Sequence, residues 1–527
     1  MNIKSEIRNP KSEIWLLIVI LIIAAFLRLY NITELPAGLY PDEAIYANNG
    51  IEAWETGNFK VFYPENYGRE GLWPNIIGFF VIKFGHEPWV PRSVAAVFGI
   101  LTVLGLYFLT KELLANRLSR KIALLSAFLM ATSFWHINFS RIGFRAIMAP
   151  MFLVWGIYFL LAALNRISDR NNGQIIPAIL GGILYGLGFY SYIAYRATPL
   201  LIFIILLLYW LKVGREADAK PNAKPTRKKI LLVAFLFSLI ALIVFAPLGL
   251  YFLQNPQDFF GRTTQISIFN SPTLLKDLSI NILKTAGMFN FSGDWNWRHN
   301  VAGAPLLFWP VGILFLIGIF LGLRMFFAGA RNRIFREEYL QAYIVLFSWI
   351  VIAALPVVVS NEGIPHALRA ILMAPAVFIL AGIGGLWLYG SLKNTITRDS
   401  TITRDSIAKI KMKMLNIFVF IFLSLLVFEA YNTYFILWGQ NPNVYGAFNA
   451  DYVQIGRDLN NLPKELPKYV VVEATGVDVR GIPMPAQTVM FITDTFAPEK
   501  QKEKNIYYVL PNQKDKIPEG SYVAILR

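Results

Sequence analysis

The sequence predicts an all-α polytopic membrane protein of about 11 transmembrane helices with a small C-terminal α/β domain. Three observations predict it. The 527-residue chain is 56% hydrophobic and only 16% charged. Apolar runs long enough to cross about 30 Å of hydrocarbon recur along it, and each must be helical because unpaired backbone amides are too costly in lipid. After about Asn441 the hydropathy drops and the pattern changes to short alternating stretches.

Lys4, Arg8 and Lys11 precede an apolar stretch from Ile14 to Leu27, the outline of a signal peptide. No small-residue cleavage site follows, and Arg28, Leu29 and Tyr30 continue the pattern, so an uncleaved first span is expected. Spans are expected at roughly 13–30, 90–110, 122–138, 146–165, 175–194, 197–212, 230–253, 305–325, 339–358, 370–390 and 414–438. With a cytoplasmic N-terminus, every inner loop is basic: Lys111, Arg117, Arg120 and Lys121; Arg166 and Arg170; Lys212, Arg215, Lys220 and Lys224 to Lys229; Arg331, Arg333 and Arg336; Lys393, Arg398, Arg404 and Lys409 to Lys413. The stretch from Leu72 to Gly85 is apolar but short, with Pro74 near its start, and reads as an interfacial helix on the outer face. Making it a span would turn the basic loops outward. The tandem hexapeptide TITRDSTITRDS at 395–406 reads as a solvated linker without function.

The expected division is a transmembrane module over 1–440, with a first outer loop at 31–89, and an extracytoplasmic α/β domain over 441–527. In that domain YVVVEA (469–474), TVMFIT (488–493), NIYYVL (505–510) and SYVAIL (521–526) read as strands, with a helix near 451–461.

The net charge of +16 does not point to nucleic acid, because the basic residues sit in short clusters between apolar runs. The absence of cysteine excludes disulfides, zinc-thiolate sites and cysteine nucleophiles.

The outer loops hold the candidates for chemistry. In LPAGLYPDEAIYANNG, Asp42 and Glu43 follow Pro41 where a helix begins. On spacing alone they read equally as an acidic first turn favoured by the helix dipole and as carboxylates serving a general base or a cation. Glu70, between Arg69 and Gly71, reads alone as a surface residue. In SFWHINFSRIGFRAIMAP, His136, Arg141 and Arg145 are arginine-rich for an outer loop, which fits an anionic partner such as phosphate or snorkelling to headgroups. FSGDWNWRHN gathers Asp294, Trp295, Trp297, Arg298, His299 and Asn300, and SNEGIPHALRAILMAP sets His366 and Arg369 one helical turn apart.

In order, the PDEA, YGRE, SRIGFRA, WRHN and PHALRAILMAP segments resemble the GT-C superfamily of polyprenyl-phosphate-sugar glycosyltransferases, in the branch of protein O-mannosyltransferases and the aminoarabinose transferase of lipid A. The resemblance runs from the first span to about residue 390. It implies an inverting transfer of a sugar from a polyprenyl-phosphate donor to an acceptor hydroxyl of a protein, lipid or glycan on the outer face of the membrane. It makes Asp42 the general base with Glu43 beside it as the catalytic pair, and assigns Arg298, His299, Arg369 and Arg141 to the donor phosphate. It implies Glu70 as ligand of a divalent metal, and no other cofactor. One departure is that many relatives carry an acid in the second outer loop, where this chain has only Ser140, Arg141 and Arg145. A flippase of lipid-linked sugars would call for charges within the spans. A noncatalytic scaffold leaves the acidic motif and the outer Arg and His residues unexplained.

Overall fold

The computed structural model describes residues 10–115, 118–167, 172–219, 224–265, 267–327, 333–399 and 405–527. Lys4, Arg8, Arg117, Arg170, Lys220, Arg331, Arg404 and the centre of the tandem repeat lie outside the described residues.

The chain is mainly helical. Helix α1 (Pro10–Leu29) leads to α2 (Pro41–Thr56), a short hairpin of β1 (Phe62–Tyr63) and β2 (Arg69–Glu70), and α3 (Leu72–Phe84). Then come α4 (Trp89–Leu114), α5 (Ser119–Ala131), α6 (Phe134–Phe139), α7 (Met148–Asn165), α8 (Ile175–Gly188), α9 (Pro199–Ala219) and α10 (Lys224–Gln254). Helices α11 (Pro256–Gln265) and α12 (Leu274–Gly287) precede α13 (Trp309–Phe327), α14 (Arg333–Val358), α15 (Ala374–Asp399) and α16 (Asp405–Tyr431). Among the described residues nine helical stretches, on α1, α4, α7, α9, α10, α13, α14, α15 and α16, are long and apolar enough to cross a membrane. Helix α3, with 13 residues, is too short, as expected. It buries Trp73, Ile77 and Val81 and leaves Phe79, Ile82 and Phe84 exposed.

Two expected spans are shorter than their apolar runs suggested. The run at 122–138 is broken into α5 and α6, and that at 175–194 holds the 14-residue α8. Helix α5 stops where the buried Arg28 guanidinium of α1 donates to the carbonyls of Ala131 (3.0 Å) and Met130 (3.4 Å), filling acceptors that would otherwise want another turn. Helix α8 ends at a turn in which Ser191 Oγ donates back to the Gly188 carbonyl.

In lipid, apolar helices gain nothing by exchanging hydrocarbon for one another, so association rests on close approach. Glycine supplies it here. A Cβ on Gly318 of α13 would stand 2.1 Å from the Leu380 carbonyl of α15, and one on Gly384 2.0 Å from that of Leu314. Gly50 and Gly78 bring α2 and α3 together in the same way.

Beyond α16 come α17 (Pro442–Ala447) and α18 (Ala450–Asn461), then β3 (Lys468–Val472), a hairpin of β4 (Asp478–Val479) and β5 (Ile482–Pro483), α19 (Gln487–Thr493), α20 (Pro498–Lys504), β6 (Ile506–Val509) and β7 (Tyr522–Leu526). The parallel sheet has the order β6–β3–β7. Three of the four expected strands are present. The fourth, TVMFIT, is instead helix α19, with every residue buried. A short run buried on all sides carries neither a period of 2 nor of 3.6, so pattern could not separate the two.

Helix α19 docks on α2. Asn48 Nδ2 donates to the backbone and side-chain oxygens of Gln487 (3.1 and 3.0 Å), and Thr488 Oγ1 donates to the Leu39 carbonyl (2.9 Å). Ion pairs surround the contact, among them Arg480 with Glu52 (2.7 Å) and His86 with Asp494 (3.3 Å). Burial alone would raise the Asp494 carboxyl, but His86, Lys500 and Lys504 outweigh it and hold it well below the ordinary carboxylate range. A carboxyl with a depressed folded pKa stabilises the fold above its unfolded value, about 3.9 for Asp, and loses that contribution as pH falls toward the folded one. Asp494→Asn should therefore lower the melting temperature at about pH 6, with the gap to wild type narrowing below about pH 4. A gap that stays constant with pH would remove the ion-pair account.

Candidate active site

A cavity of about 1200 Å³ opens between the start of α2, the β1–β2 turn, the junctions at 144–146 and 192–197, the segment 355–369 and the C-terminal region. Its wall carries Arg69, Arg145, Arg196, Arg298, Arg369 and Arg527, against the carboxylates Asp42 and Glu473. Six arginines and two carboxylates among the lining residues give the wall more cationic than anionic side chains.

Asp42 and Glu43 diverge because consecutive helical residues point about 100° apart. Pro41 opens α2 with its fixed φ, and Glu43, three residues after Tyr40, accepts from the Tyr40 N–H (3.2 Å) in a capping arrangement. Glu43 is fully buried, held by Arg92 Nε (3.1 Å), Arg92 Nη2 (3.2 Å) and the Gly143 N–H (2.7 Å). It does not line the cavity, so the expected catalytic pair is split: one carboxylate faces the cavity and its neighbour faces the core. Asp42 is at the wall, and its Oδ1 accepts from Asn66 Nδ2 (2.9 Å).

Glu70 is buried between two cations, with Arg145 bonded to one oxygen and Arg196 Nη2 3.3 Å from the other. With both oxygens on guanidinium groups, Glu70 does not fit the role of metal ligand expected of it, because a further cation would meet two like charges. Arg69 is aimed by Asn49 Oδ1 (3.2 and 2.7 Å); burial pulls its pKa down to about 10, which leaves it charged at neutral pH. Burial, and then the Asp42 carboxylate, push the neighbouring Tyr46 phenol up, so it stays protonated.

Of the four residues expected at the donor phosphate, two are at the wall. Arg298 stacks on the Tyr40 ring at 3.9 Å, and among the described residues its buried Nε has no hydrogen-bond partner. Arg369 donates to Ser360 Oγ and to the Glu362 carbonyl (2.8 Å). His299 stands behind the wall, its Nδ1 3.0 Å from Asp294 Oδ2, while His366 lines the cavity. Arg141 is the correction: it is fully buried, lies 4.9 Å from the Tyr434 and Phe435 ring centres and donates to the Leu35 carbonyl (3.0 Å), so it staples the core and does not reach the cavity. Sequence reasoning missed Arg196, which sits between two apolar runs; an arginine in such a place was the signal.

The fold and this cavity define the class: a polytopic membrane protein with an arginine-lined cleft. Residues 63–260 match the family model for dolichyl-phosphate-mannose-protein mannosyltransferase. The fold is similar to that of ArnT from Cupriavidus metallidurans bound to undecaprenyl phosphate, with a TM-score of 0.52 and 14% identity over 95% of this chain and 90% of that one. The apo state of the same protein gives a TM-score of 0.50 and 13% identity over 92% and 84%. No curated protein matches the chain by sequence. The family match and the fold bear out the resemblance to polyprenyl-phosphate-sugar glycosyltransferases of the mannosyltransferase and aminoarabinose-transferase branch.

Proposed function

We propose that this chain is a membrane glycosyltransferase that moves a sugar from a polyprenyl-phosphate-linked donor to an acceptor hydroxyl on the extracytoplasmic face, with inversion and with Asp42 as general base. The observation that carries this reading is the cavity whose wall holds Arg69, Arg145, Arg196, Arg298, Arg369 and Arg527 beside Asp42. Guanidinium groups bind phosphate through charge-assisted, bidentate hydrogen bonds.

Asp42 takes the proton of the attacking hydroxyl as the oxygen bonds to the anomeric carbon. The bond from that carbon to the phosphate oxygen breaks, the electron pair leaves with the phosphate, and Arg298 and Arg369 stabilise the charge. A single displacement of this kind inverts the anomeric centre. Glu43 and Arg92 fix the turn that carries Asp42, and Glu70 holds Arg145 and Arg196 in register. Phe259, Phe260, Phe269, Leu355 and Val359 give one side of the cavity an apolar lining suited to a prenyl chain. ArnT, of similar fold, binds undecaprenyl phosphate, which supports a lipid phosphate as ligand. We assign 441–527 to an extracytoplasmic domain that closes the cavity over the acceptor through Glu473 to Val477, and the N-terminus to the cytoplasm.

Reconstituted in proteoliposomes with polyprenyl-phosphate sugars, the chain should release free polyprenyl phosphate as sugar is transferred; no release with mannosyl, glucosyl or aminoarabinosyl donors would overturn the reading. The face is tested at Asn58, which is exposed just beyond α2 in a chain without cysteine. Asn58→Cys should react with an impermeant thiol reagent on intact cells, and labelling only after lysis would invert the topology.

A further inference from the structure

The first turn of α2 fixes the backbone of Asp42 but not the plane of its carboxylate, because the last torsion of an aspartate side chain is broad. A base that takes a proton from one direction needs that plane held. We infer that Asn66, on the turn between β1 and β2, is a positioning residue that holds it. The inference rests on the reading of Asp42 as general base and gives a role to a residue which that reading leaves without one.

Asn66 Nδ2 donates to Asp42 Oδ1 at 2.9 Å, across 24 positions of sequence, and both residues line the cavity. Among the described residues Asn66 is the only side chain hydrogen-bonded to Asp42. With Oδ1 occupied, Oδ2 is the oxygen left to take the acceptor proton. The chemistry of the donor matters as much as its place. Arg69, Arg145 and Arg196 line the same cavity, yet the group bonded to Asp42 is a neutral amide. A guanidinium there would strongly stabilise the charged carboxylate and so weaken it as a base, whereas an amide orients it with a smaller effect.

The turn presents this amide at a conformational cost. Asn66, Tyr67 and Gly68 are all left-handed, with φ of 49°, 62° and 83°. Glycine accepts that region freely and asparagine tolerates it, but a tyrosine there is strained. The surroundings enforce it. The Gly68 N–H donates to the Glu65 carbonyl (3.1 Å), the Gly71 N–H donates to the Val61 carbonyl (2.8 Å), and the Glu65 carboxylate accepts from Arg480 (3.2 Å). On β1 the Phe62 ring packs against Tyr251 and Phe252 of α10, each 5.2 Å away centre to centre. Strain of this kind persists where the structure around it over-determines the chain, and such places cluster at functional sites. A left-handed position accounts for an asparagine at 66; it does not account for the amide being aimed at the carboxylate of α2.

Asn66→Gly separates the bond from the turn, because glycine keeps the left-handed backbone and removes only the side chain. In proteoliposomes it should lower kcat by ~10–10²-fold, with KM for the polyprenyl-phosphate sugar within about 2-fold of wild type. Asn66→Asp keeps shape and backbone but, ionised, offers no donor, and should lower kcat as well. Added to Asp42→Asn, Asn66→Gly should change kcat by less than about 3-fold, since the carboxylate it orients is gone. A turn needed only for folding would cost the same in both backgrounds. Wild-type kcat in either Asn66 variant, or a further loss of ~10-fold in the Asp42→Asn background, would overturn the role. Wild-type transfer by Asp42→Asn would sink the reading of Asp42 and this inference with it; an Asp42-dependent rate untouched by Asn66→Gly sinks this inference alone.

Discussion

Asp42→Asn should lower the rate of sugar transfer by about 10²–10⁴-fold, the range for loss of a positioned general base. The substitution is chosen because it changes little else. Asn at this position keeps an Oδ1 to accept from Asn66, so the loop facing α2 stays in place. An amide cannot take the acceptor proton. Removing a negative charge from a wall of six arginines strengthens the attraction for an anionic donor, so KM for the donor should hold or fall while kcat drops. Initial rates in proteoliposomes, with the melting temperature as control for folding, measure both. Equal kcat in the two proteins would sink the assignment of Asp42.

Glu43→Gln should behave in the opposite way, costing about 3–5 kcal/mol of stability because it leaves a buried charge without its partner. Arg92 and Glu43 are 1% and 0% exposed, and the carboxylate also takes the Gly143 N–H. Removing either charge strands the other, so Arg92→Met alone should destabilise the chain by a similar amount. The double variant should be less unstable than the sum of the single ones, because no charge is left unpaired. Thermal melts in detergent measure this. Transfer per folded molecule should remain in Glu43→Gln at low temperature. A variant that melts like wild type but transfers nothing would return Glu43 to the chemistry.

These two neighbours mark how far the sequence could be read. PDEA was legible as a helix start with two acids, and the resemblance singled out Asp42. Which acid faces the cavity depends on Arg92 and Gly143, 49 and 100 positions away, and nothing local encodes those contacts. Arg141 and Arg145 shared one motif but separate in the same manner, Arg141 against the Tyr434 and Phe435 rings and Arg145 onto Glu70. The spans were legible from apolar runs alone, but their breaks were not, because α5 ends on a guanidinium supplied by α1. His299 and His366 were each visible near an arginine, and only folding puts them on one carboxylate.

The docking of α19 on α2 bears on how the molecule is made. Gln487 and Asn48 touch across 439 positions, so the helix bearing Asp42 emerges early in synthesis and receives its cover near the end. Among the described residues the nine long apolar helices all precede that cover and can enter the bilayer before it exists. A polypeptide that ends at Gln440 carries all nine of the long apolar helices found among the described residues, yet leaves Asn48 and the Leu39 carbonyl without Gln487 and Thr488 and the cavity without the lining residues between Gly446 and Arg527. An unfinished chain of that length sits in the membrane with its cavity still open on the side that the C-terminal region supplies.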